Sequence, residues 1–428
     1  MTTRNLSLEL MTRVEGEGSF SVTLDGDRVE HARLRIFEPP RFFEAFLRGR
    51  AAAETPDITA RICGICPVAY QTSACNAVEN AFGMQLDPMV ASLRRLLYCG
   101  EWISSHTLHI YLLHGPDFLG YPDAMTMAAD HRDAVERGLA LKKTGNELME
   151  LIGGRAVHPV NVRVGGFYSV PDPDGLAAIA ERLRRALDLA LETVQWVAGL
   201  PFPDLEVDHD LLAVRTPDRY AIETGSIVSS SGLRLGPEQF DDHVTEMQVP
   251  HSTALQATLD GHRFLTGPLA RYSLNSAQLS PLAREAAAGA GLGEQCRNPF
   301  RSIVVRAVEV VYAVEEALRI IAEYRRPERP FTEITPRAGI GHGISEAPRG
   351  LLYHRYEFDA RGDIEAARIV APTSQNQGAM EHDLATMVAS NTGLDDAALT
   401  TLCEKTIRCY DPCISCAAHF LTVTVRRR

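Results

Sequence analysis

Two pairs of cysteines near opposite ends of the chain have the residue type and the spacing of a metal site. The first pair is Cys63 and Cys66, and the second is Cys413 and Cys416. In each pair two residues separate the thiols, which is the spacing at which one short loop chelates a single soft metal ion. Four thiolates are enough to close one site if the fold joins the two ends of the chain. The pattern therefore predicts a metal at the centre of the protein.

The residues beside the two pairs bear on which metal they bind. Pro67 follows Cys66 and is typical of the first turn of a helix, so these thiols are expected near the positive end of a helix, which favours thiolate. His419 is a candidate further ligand, although a histidine in such a position is more often an ordinary side chain. Sulfur chemistry by itself indicates zinc or an iron–sulfur centre.

Composition and charge argue against several classes of function. The 428 residues are 45% hydrophobic and 23% charged, as in ordinary globular proteins. The net charge, 43 − 55 = −12, argues against nucleic acid as the main partner. The start resembles no signal peptide, and no apolar run is long enough to span a bilayer. We therefore expect no direct membrane insertion and a cytoplasmic location.

The cysteine count indicates reduced thiols. Nine is an odd number, and a large chain without a secretion signal seldom carries a disulfide framework. Five cysteines show no further metal-type spacing, and we expect them to be buried as small hydrophobic residues: Cys75, Cys99, Cys296, Cys403 and Cys409. The chain therefore lacks evident ligands for an iron–sulfur cluster of its own.

The elements that must position the thiols are mainly helical. Helical periodicity predicts five helices, over residues 67–82, 90–114, 127–152, 174–199 and 300–324. Alternating patterns predict β-hairpins over residues 19–36 and 351–370, and residues 205–275 are mixed. The predicted fold class is α+β and mainly α. It has a core of long bundled helices and peripheral β-hairpins, with the active site where the two Cys-x-x-Cys loops meet. One domain over residues 1–428 is expected.

Further motifs accompany the cysteine pairs. The pairs lie in Arg61-Ile-Cys-Gly-Ile-Cys-Pro67 and Asp411-Pro-Cys-Ile-Ser-Cys416. The others are Arg13-Val-Glu-Gly16, Gly153-Gly-Arg155 with His158-Pro159, Gly267-Pro-Leu-Ala-Arg271, Ala347-Pro-Arg-Gly350 and Pro372-Thr373. One such motif occurs by chance, but an ordered set along the whole chain is specific. Together these motifs resemble the large, catalytic subunit of the [NiFe] hydrogenases.

The resemblance implies a nickel–iron centre bound by all four thiolates. Cys63 and Cys413 would be terminal ligands of nickel. Cys66 and Cys416 would also bridge to an iron that carries CO and CN ligands. The reaction would be H2 ⇌ 2 H+ + 2 e−. A terminal thiolate such as Cys413 is a suitable proton acceptor when hydrogen is split heterolytically, because the proton needs a nearby base.

Four more residues receive roles from the resemblance. Glu15 corresponds to the proton-relay glutamate and Arg349 to an arginine over the metals, where a guanidinium supplies a positive field. Pro372 and Thr373 correspond to the pocket around the iron, and the hydroxyl is a possible donor to cyanide. By themselves these residues have ordinary alternatives: a surface carboxylate, an arginine in a surface salt bridge, and a loop after a strand.

The resemblance also implies a second metal, commonly magnesium. Its ligands would be the side chains of Glu44 and His419 and the backbone carbonyl of Ile369, with waters completing an oxygen-rich octahedron. Glu44 alone would otherwise indicate the polar face of an amphipathic helix.

Two departures affect the choice of subgroup. Tyr70 and Glu17 stand where many relatives have histidine. With the short length, they make the chain most similar to the cytoplasmic, NAD(P)-linked bidirectional hydrogenases. Electrons would leave through a small Fe–S subunit and then pass to flavin- and NAD(P)-binding subunits. Residues 420–428 correspond to a C-terminal peptide that many members lose on maturation.

Two alternatives stay open on the sequence. One is a non-catalytic structural relative, like the corresponding subunit of respiratory NADH dehydrogenase. The other is a structural zinc protein with a four-thiolate site. The first is disfavoured because all four cysteines are present, and the second would contain zinc and no nickel.

Overall fold

Helices supply most of the regular structure in the computed structural model, which describes residues 3–39 and 42–418. In this part of the chain the α-helices are α1 (Phe43–Leu47), α2 (Thr55–Ala60), α3 (Pro67–Phe82), α4 (Pro88–Leu108), α5 (Gly115–Leu119), α6 (Ala124–Met127), α7 (Arg132–Gly153), α8 (Pro173–Ala198), α9 (Phe240–His243), α10 (Pro268–Asn275), α11 (Pro281–Gly289), α12 (Ser302–Glu323), α13 (Pro372–Ala389), α14 (Asp396–Arg408) and α15 (Ile414–Ala417). A π-helical segment, His109–His114, joins α4 to α5.

The strands of the same residues form small sheets. They are β1 (Thr3–Leu8), β2 (Gly18–Asp25), β3 (Arg28–Ile36), β4 (Val162–Arg163), β5 (Gly166–Phe167), β6 (Asp210–Arg215), β7 (Ser226–Ser229), β8 (Arg234–Leu235), β9 (Val244–Gln248), β10 (Leu255–Leu259), β11 (Phe264–Leu265), β12 (Gly339–Ala347), β13 (Gly350–Phe358) and β14 (Ile364–Val370). The sheet orders are β1-β2-β3, β4-β5, β11-β6-β7-β8, β10-β9 and β12-β13-β14. The pairings are antiparallel except for β11 with β6.

Four long helices form the core of the bundle. Helix α4 packs against α7 and α12, and α8 packs against α7 and α12. Buried residues of α8 recur at helical spacing, as in Leu176, Ile179 and Leu183, so one apolar face of this helix contacts the bundle. Helix α12 is buried on nearly every side, because other helices surround it. This bundle gives the metal-binding loops a rigid support.

The β12-β13-β14 sheet lies directly against α3, the helix that follows the first cysteine pair. Glycines in β12 make the close approach possible. A Cβ atom at Gly343 would lie 2.1 Å from the carbonyl oxygen of Ser73, and one at Gly341 would lie 1.9 Å from that of Ala77. Any side chain at these positions would force the sheet away from α3. The contact therefore fixes α3 relative to the tight turn between β12 and β13.

The predicted fold class is confirmed, as are the five helices and both hairpins. Two boundaries differ. The pattern over 90–114 continues past α4 as the π-helical segment, and the pattern over 127–152 begins late because α6 is a separate short helix whose N-terminus is capped by Asp123. The five cysteines outside the pairs are buried, as predicted. Across residues 3–39 and 42–418 no helix combines the length and the apolar character needed to cross a membrane.

We predict that Gly343→Ala lowers the free energy of unfolding by about 1–3 kcal/mol, because the new methyl group overlaps the backbone of α3. Thermal and denaturant unfolding measure the effect. Gly393→Ala is the matched control, since a Cβ atom there would have no atom within 4 Å, and we expect no loss of stability. Equal stability of the two variants would contradict the close contact.

Candidate metal centre

The four predicted ligand sulfurs lie together. Their Sγ atoms are all within 4.8 Å of one another, although the two pairs are 350 residues apart in sequence. Cys63 Sγ is 3.5 Å from Cys413 Sγ, and Cys66 Sγ is 3.9 Å from Cys416 Sγ. A metal ion that binds sulfur at about 2.3 Å spans sulfurs up to roughly 4.6 Å apart. The cluster therefore fits a soft metal centre, and the predicted meeting of the two loops is confirmed.

The pKa values of the four thiols also bear on whether the site binds a cation. Burial raises the pKa of Cys416 to about 11, and it raises the pKa of Cys413 well above the usual range. Burial acts in the same direction on Cys63, but hydrogen bonds from the neighbouring thiols and the charge of Arg349 outweigh it, so the pKa of Cys63 is well below its usual value. Full deprotonation of such a buried set needs a bound cation to balance the charge.

The first loop is held at the N-terminus of α3. Cys66 is the N-cap residue of this helix, and Pro67 occupies its first turn, as predicted. The backbone N–H groups of Ile65 and Cys66 donate to Cys63 Sγ at 3.3 and 3.2 Å. These donors stabilise a thiolate at Cys63 and give the loop its shape.

Glu101 of α4 caps the same helix from a distance. Its fully buried carboxylate accepts the backbone N–H groups of Val68 at 2.6 Å and Ala69 at 3.1 Å. These donors belong to the first turn of α3, where backbone N–H groups have no partner inside the helix. Burial raises the pKa of Glu101 well above its usual value, and the charge of Cys63 acts in the same direction. Glu101 therefore ties the first cysteine loop to the bundle.

The second loop is held by two other segments. The backbone N–H of Cys413 donates to Thr373 Oγ1 at 3.0 Å, at the start of α13. The backbone N–H of Ile414 donates to the carbonyl oxygen of Glu15 at 2.9 Å. The Glu15 carboxylate also lies at this loop, where Oε2 accepts the Ser415 N–H at 3.0 Å. Contacts from both ends of the chain thus fix the position of Cys413.

Glu15 directly contacts a predicted metal ligand. Its Oε2 atom is 3.0 Å from Cys413 Sγ, which is hydrogen-bonding distance for a thiol. Burial raises the pKa of Glu15, and the negative charge of Cys63 raises it further. The next residue, Gly16, has φ +87°, and a Cβ atom there would lie 2.8 Å from Ile414 Cβ. Glycine at this position lets the segment approach the cysteine loop. The arrangement suits a carboxylate that exchanges protons with a thiolate.

Arg349 occupies the two-residue turn between β12 and β13, where Ala347 pairs with Gly350. Its side chain is buried and donates through Nε to the Asp411 carbonyl at 2.7 Å and through Nη2 to Asp411 Oδ1 at 3.0 Å. Burial disfavours the charge, but Asp411 and then the thiol of Cys413 outweigh it and hold the pKa of Arg349 well above its usual value. A fixed positive charge therefore lies behind the sulfur cluster.

The turn that carries Arg349 is itself fixed by buried arginines. Arg271 donates to the carbonyl oxygens of Ala347 at 2.6 Å and Pro348 at 3.1 Å. Arg306 donates to the Pro348 carbonyl at 3.3 Å. Arg271 also makes a two-point pair with Glu309 at 2.9 Å for each bond. Because both ends of each contact are buried, Arg349 has little freedom to move.

Asp117 forms salt bridges to both segments that precede the site, the one before Glu15 and the one before the second cysteine loop. It pairs with Arg13 at 2.5 Å and with Arg408 at 3.0 Å, and it lies in α5 just beyond the π-helical segment. Burial opposes the ionised form of Asp117, but His114, Arg408 and Arg13 outweigh it and lower its pKa to about 2. Arg13 precedes Glu15, and Arg408 precedes the second cysteine loop. This carboxylate therefore connects the N-terminal and C-terminal parts of the centre.

The residues predicted to bind a second metal are partly brought together. Glu44 lies in α1, and its Oε1 atom accepts the Ile369 N–H at 2.8 Å. Both residues line a cavity of about 290 Å3, together with Cys416 and Ala418. The predicted ligand His419 and the predicted processing segment 420–428 lie outside the described residues. Oxygen donors at Glu44 and Ile369 suit a hard cation.

Three positioning residues were missed in the sequence: Glu101, Arg306 and Asp117. The signal that could have identified the first two was a charged residue inside the apolar pattern of a long helix, since buried charges need partners. Asp117 had no such signal, because it lies in a short segment after the π-helical turn. Pro372 begins α13, and Thr373 contacts the Cys413 loop.

Comparison with known proteins agrees with this geometry. The family model described as nickel-dependent hydrogenase matches residues 41–138 and 257–419. The sulfhydrogenase 1 subunit alpha of Pyrococcus furiosus is 34% identical to this chain over 97% of each chain. The NAD-reducing hydrogenase HoxS subunit beta of Cupriavidus necator is 28% identical and covers 98% of this chain and 95% of its own. A solved NAD+-reducing [NiFe]-hydrogenase in the H2-reduced state superposes with a TM-score of 0.87 at 25% identity, covering 97% of this chain and 99% of that one.

We predict that Asp117→Asn lowers the free energy of unfolding at pH 7 by about 3–5 kcal/mol, because the buried Arg408 and the half-buried Arg13 lose their shared counter-charge. The folded-state pKa of about 2 lies below the ordinary value of 3.8. Ionised Asp117 therefore stabilises the fold above about pH 4, and this contribution is lost as pH falls through 2.

Denaturant unfolding between pH 7 and 3 checks this prediction. The difference between wild type and Asp117→Asn should stay constant down to about pH 4 and shrink below it. Asp204→Asn is the control, since Asp204 is exposed and should change stability by less than about 0.5 kcal/mol. A difference that grows on acidification would contradict the assigned pairing.

Proposed function

This chain belongs to the nickel-dependent hydrogenase family as a large, catalytic subunit, and we propose how its residues divide the work of H2 ⇌ 2 H+ + 2 e−. The observation that carries the proposal is the cluster of four sulfurs from two distant loops, three of them buried and that of Cys416 half-buried. Cys63 and Cys413 would bind nickel alone, and Cys66 and Cys416 would bridge nickel and iron. When bound, the nickel–iron centre polarises H2 and accepts the electron pair of its bond.

Proton transfer would begin at the second cysteine loop. Both protons of H2 would leave one after the other by this route: the thiolate of Cys413 would take each proton, and Glu15 would then receive it across the 3.0 Å contact. The raised pKa of Glu15, which burial causes, brings its proton affinity closer to that of a thiolate. The reverse sequence delivers protons for H2 formation.

Two other side chains, Arg349 and Thr373, would donate hydrogen bonds to the ligands of the iron. Arg349 keeps a positive charge beside the cluster, and within residues 3–39 and 42–418 its Nη1 atom has no hydrogen-bond partner. Thr373 Oγ1 accepts the Cys413 N–H, which leaves its hydroxyl hydrogen available for another acceptor. Both donors suit an iron with CO and CN ligands, since cyanide nitrogen accepts hydrogen bonds. Pro372 would line the same pocket.

A magnesium ion would complete the site near the C-terminus. Glu44 supplies a carboxylate and Ile369 a backbone carbonyl, and His419 is the proposed nitrogen ligand. The contact between Glu44 and the Ile369 N–H and the cavity beside Cys416 support this location. The ion would hold the C-terminal segment next to the second cysteine loop.

We also propose that residues 1–428 form one domain and that residues 420–428 are removed during maturation.

Electrons would leave through partner subunits, because the relatives are named as subunits of larger hydrogenases. We propose a small Fe–S subunit, then flavin- and NAD(P)-binding subunits, in the cytoplasm.

A suitable docking face lies over the first cysteine loop, where Val157, Val160 and Tyr168 are 51%, 46% and 61% exposed. His158 in this segment contacts the Cys63 backbone. Exposed apolar residues so close to a metal ligand favour a protein partner.

We predict that the purified complex contains nickel, shows infrared bands of bound CO and CN, and reduces a redox dye in the presence of H2. Metal analysis, infrared spectroscopy and a dye assay on one preparation check this. A zinc protein would contain zinc without nickel, and a non-catalytic relative would contain neither nickel nor activity. Dye reduction without nickel would contradict the proposed centre.

We predict that Glu15→Gln lowers H2-dependent dye reduction at least about 100-fold while nickel content is unchanged, because the amide cannot relay a proton from Cys413. Glu381→Gln is the matched control. Glu381 is also a half-buried carboxylate that accepts a backbone N–H, from Leu34 at 2.9 Å, and its variant should keep most of the activity. Full activity in Glu15→Gln would exclude this relay.

A further inference from the structure

Asp411, which leads into the second cysteine loop, has a backbone conformation that residues other than glycine seldom adopt. Its φ is +49°, in the left-handed region. Such a conformation costs free energy and persists only where the surrounding contacts impose it. Arg349 holds Asp411 from one side, through the backbone carbonyl and Oδ1. A second set of contacts acts on the neighbouring residue, Tyr410.

The side chain of Tyr410 belongs to a buried, hydrogen-bonded group of three. Its hydroxyl donates to Asp383 Oδ2 on α13. His209, which lies directly before β6, has its Nε2 atom 2.8 Å from Asp383 Oδ1. An ionised carboxylate only accepts hydrogen bonds, so His209 donates through Nε2. The three side chains are at most 6% exposed, and each oxygen of Asp383 has its own donor.

The contact between Tyr410 and Asp383 is of the strong kind. Burial raises the pKa of Tyr410 well above its usual value, and the charge of Asp383 raises it further, so the hydroxyl keeps its proton and donates. Hydrogen bonds to an ionised acceptor are stronger than those between neutral groups. His209 fixes the other carboxylate oxygen and thereby the orientation of the carboxylate.

This group is not built for stability alone. Within residues 3–39 and 42–418 the buried Nδ1 atom of His209 has no hydrogen-bond partner. A buried polar atom without a partner is unfavourable, and apolar side chains would fill the same space without this cost. The cost is consistent with a role beyond packing.

Helix α13 holds the second cysteine loop at two places. At its start Thr373 accepts the Cys413 N–H, and in its second half Asp383 accepts the Tyr410 hydroxyl. The left-handed residue Asp411 lies between these two contacts in the sequence. The segment therefore cannot shift along α13 without breaking one of them.

We propose that Asp383 is a positioning residue for the metal centre, acting through Tyr410 on the conformation of Asp411. With the contact in place, Asp411 keeps its positive φ and Cys413 Sγ stays 3.5 Å from Cys63 Sγ. Without it, Asp411 relaxes toward negative φ, and the sulfur of Cys413 moves away from the other ligands. The inference rests on the proposed function in one respect, because the four thiolates must bind metal together.

The test measures Co2+ binding to the full metal-free chain. Co2+ bound by thiolates shows a thiolate-to-cobalt charge-transfer absorption, so it reports on the four sulfurs without assembly of nickel and iron. Residues that support metal ligands typically contribute 10–100-fold in affinity, and we expect Tyr410→Phe to weaken Co2+ binding about 10-fold. Asp383→Asn should have a similar effect. The double variant should bind no more weakly than either single variant, because both changes remove the same contact.

Tyr353→Phe is the matched control. Tyr353 is also a buried phenol that donates to an aspartate, Asp241 Oδ2 at 3.0 Å. Its variant should lose about as much stability as Tyr410→Phe in denaturant unfolding of the metal-free chain. Its Co2+ affinity should equal that of wild type, since no cysteine loop depends on this contact.

The outcomes separate the positioning role from the metal centre itself. Wild-type affinity in Tyr410→Phe overturns the positioning role, and so does an equal loss in Tyr353→Phe, because general destabilisation would then be the cause. Additive losses in the double variant overturn the route through Asp383. A wild-type chain without the thiolate-to-cobalt absorption overturns the four-thiolate centre and the positioning role together.

Discussion

Sulfur atoms 350 residues apart in sequence must stay within 4 Å of each other, and the rest of the structure depends on this constraint. Neither cysteine loop can meet it alone. The first loop is fixed to the bundle through α3 and the carboxylate of Glu101. The second is fixed through Thr373 and the backbone of Glu15. Asp117 then joins the segments that precede both sides of the site, so contacts within the protein hold the two loops together.

Charge balance is the second requirement of such a site. Four clustered thiolates would repel one another, and the protein supplies positive charge from the side of Arg349. That guanidinium needs its own support, because an arginine moved out of water is costly unless it is paired. Asp411 supplies the pairing, and Arg271 and Arg306 fix the carbonyl oxygens of the turn. Removing Asp411 would take the salt-bridge partner from both Arg349 and Arg306, so this carboxylate supports the whole set.

Much of this could be predicted from sequence because the informative residues are local. Cys-x-x-Cys spacing and the proline after Cys66 fix the ligands and the helix that follows, and long apolar periodicity predicts the bundle. The sequence could not reveal contacts between distant segments, such as Glu101 with α3 or Asp117 with Arg408. These depend on tertiary packing, which brings together residues with no shared pattern. The boundary of α4 also changed, because a π-helical segment keeps nearly the same apolar periodicity.

The two cysteine loops differ in what surrounds them, and this bears on how protons and electrons leave. The surroundings of Cys413 are polar. The Glu15 carboxylate contacts Cys413 Sγ and accepts the Ser415 N–H, and the Ser415 hydroxyl donates to Glu38 at 2.9 Å. The segment with the exposed residues Val157, Val160 and Tyr168 lies beside Cys63, because His158 of this segment contacts the Cys63 backbone. A polar, hydrogen-bonded route suits protons, which move between groups in contact. An apolar face suits a protein partner, which must exclude water at its interface. Placing the two on different loops would let the proposed partner cover the segment beside Cys63 without blocking the carboxylates at Cys413.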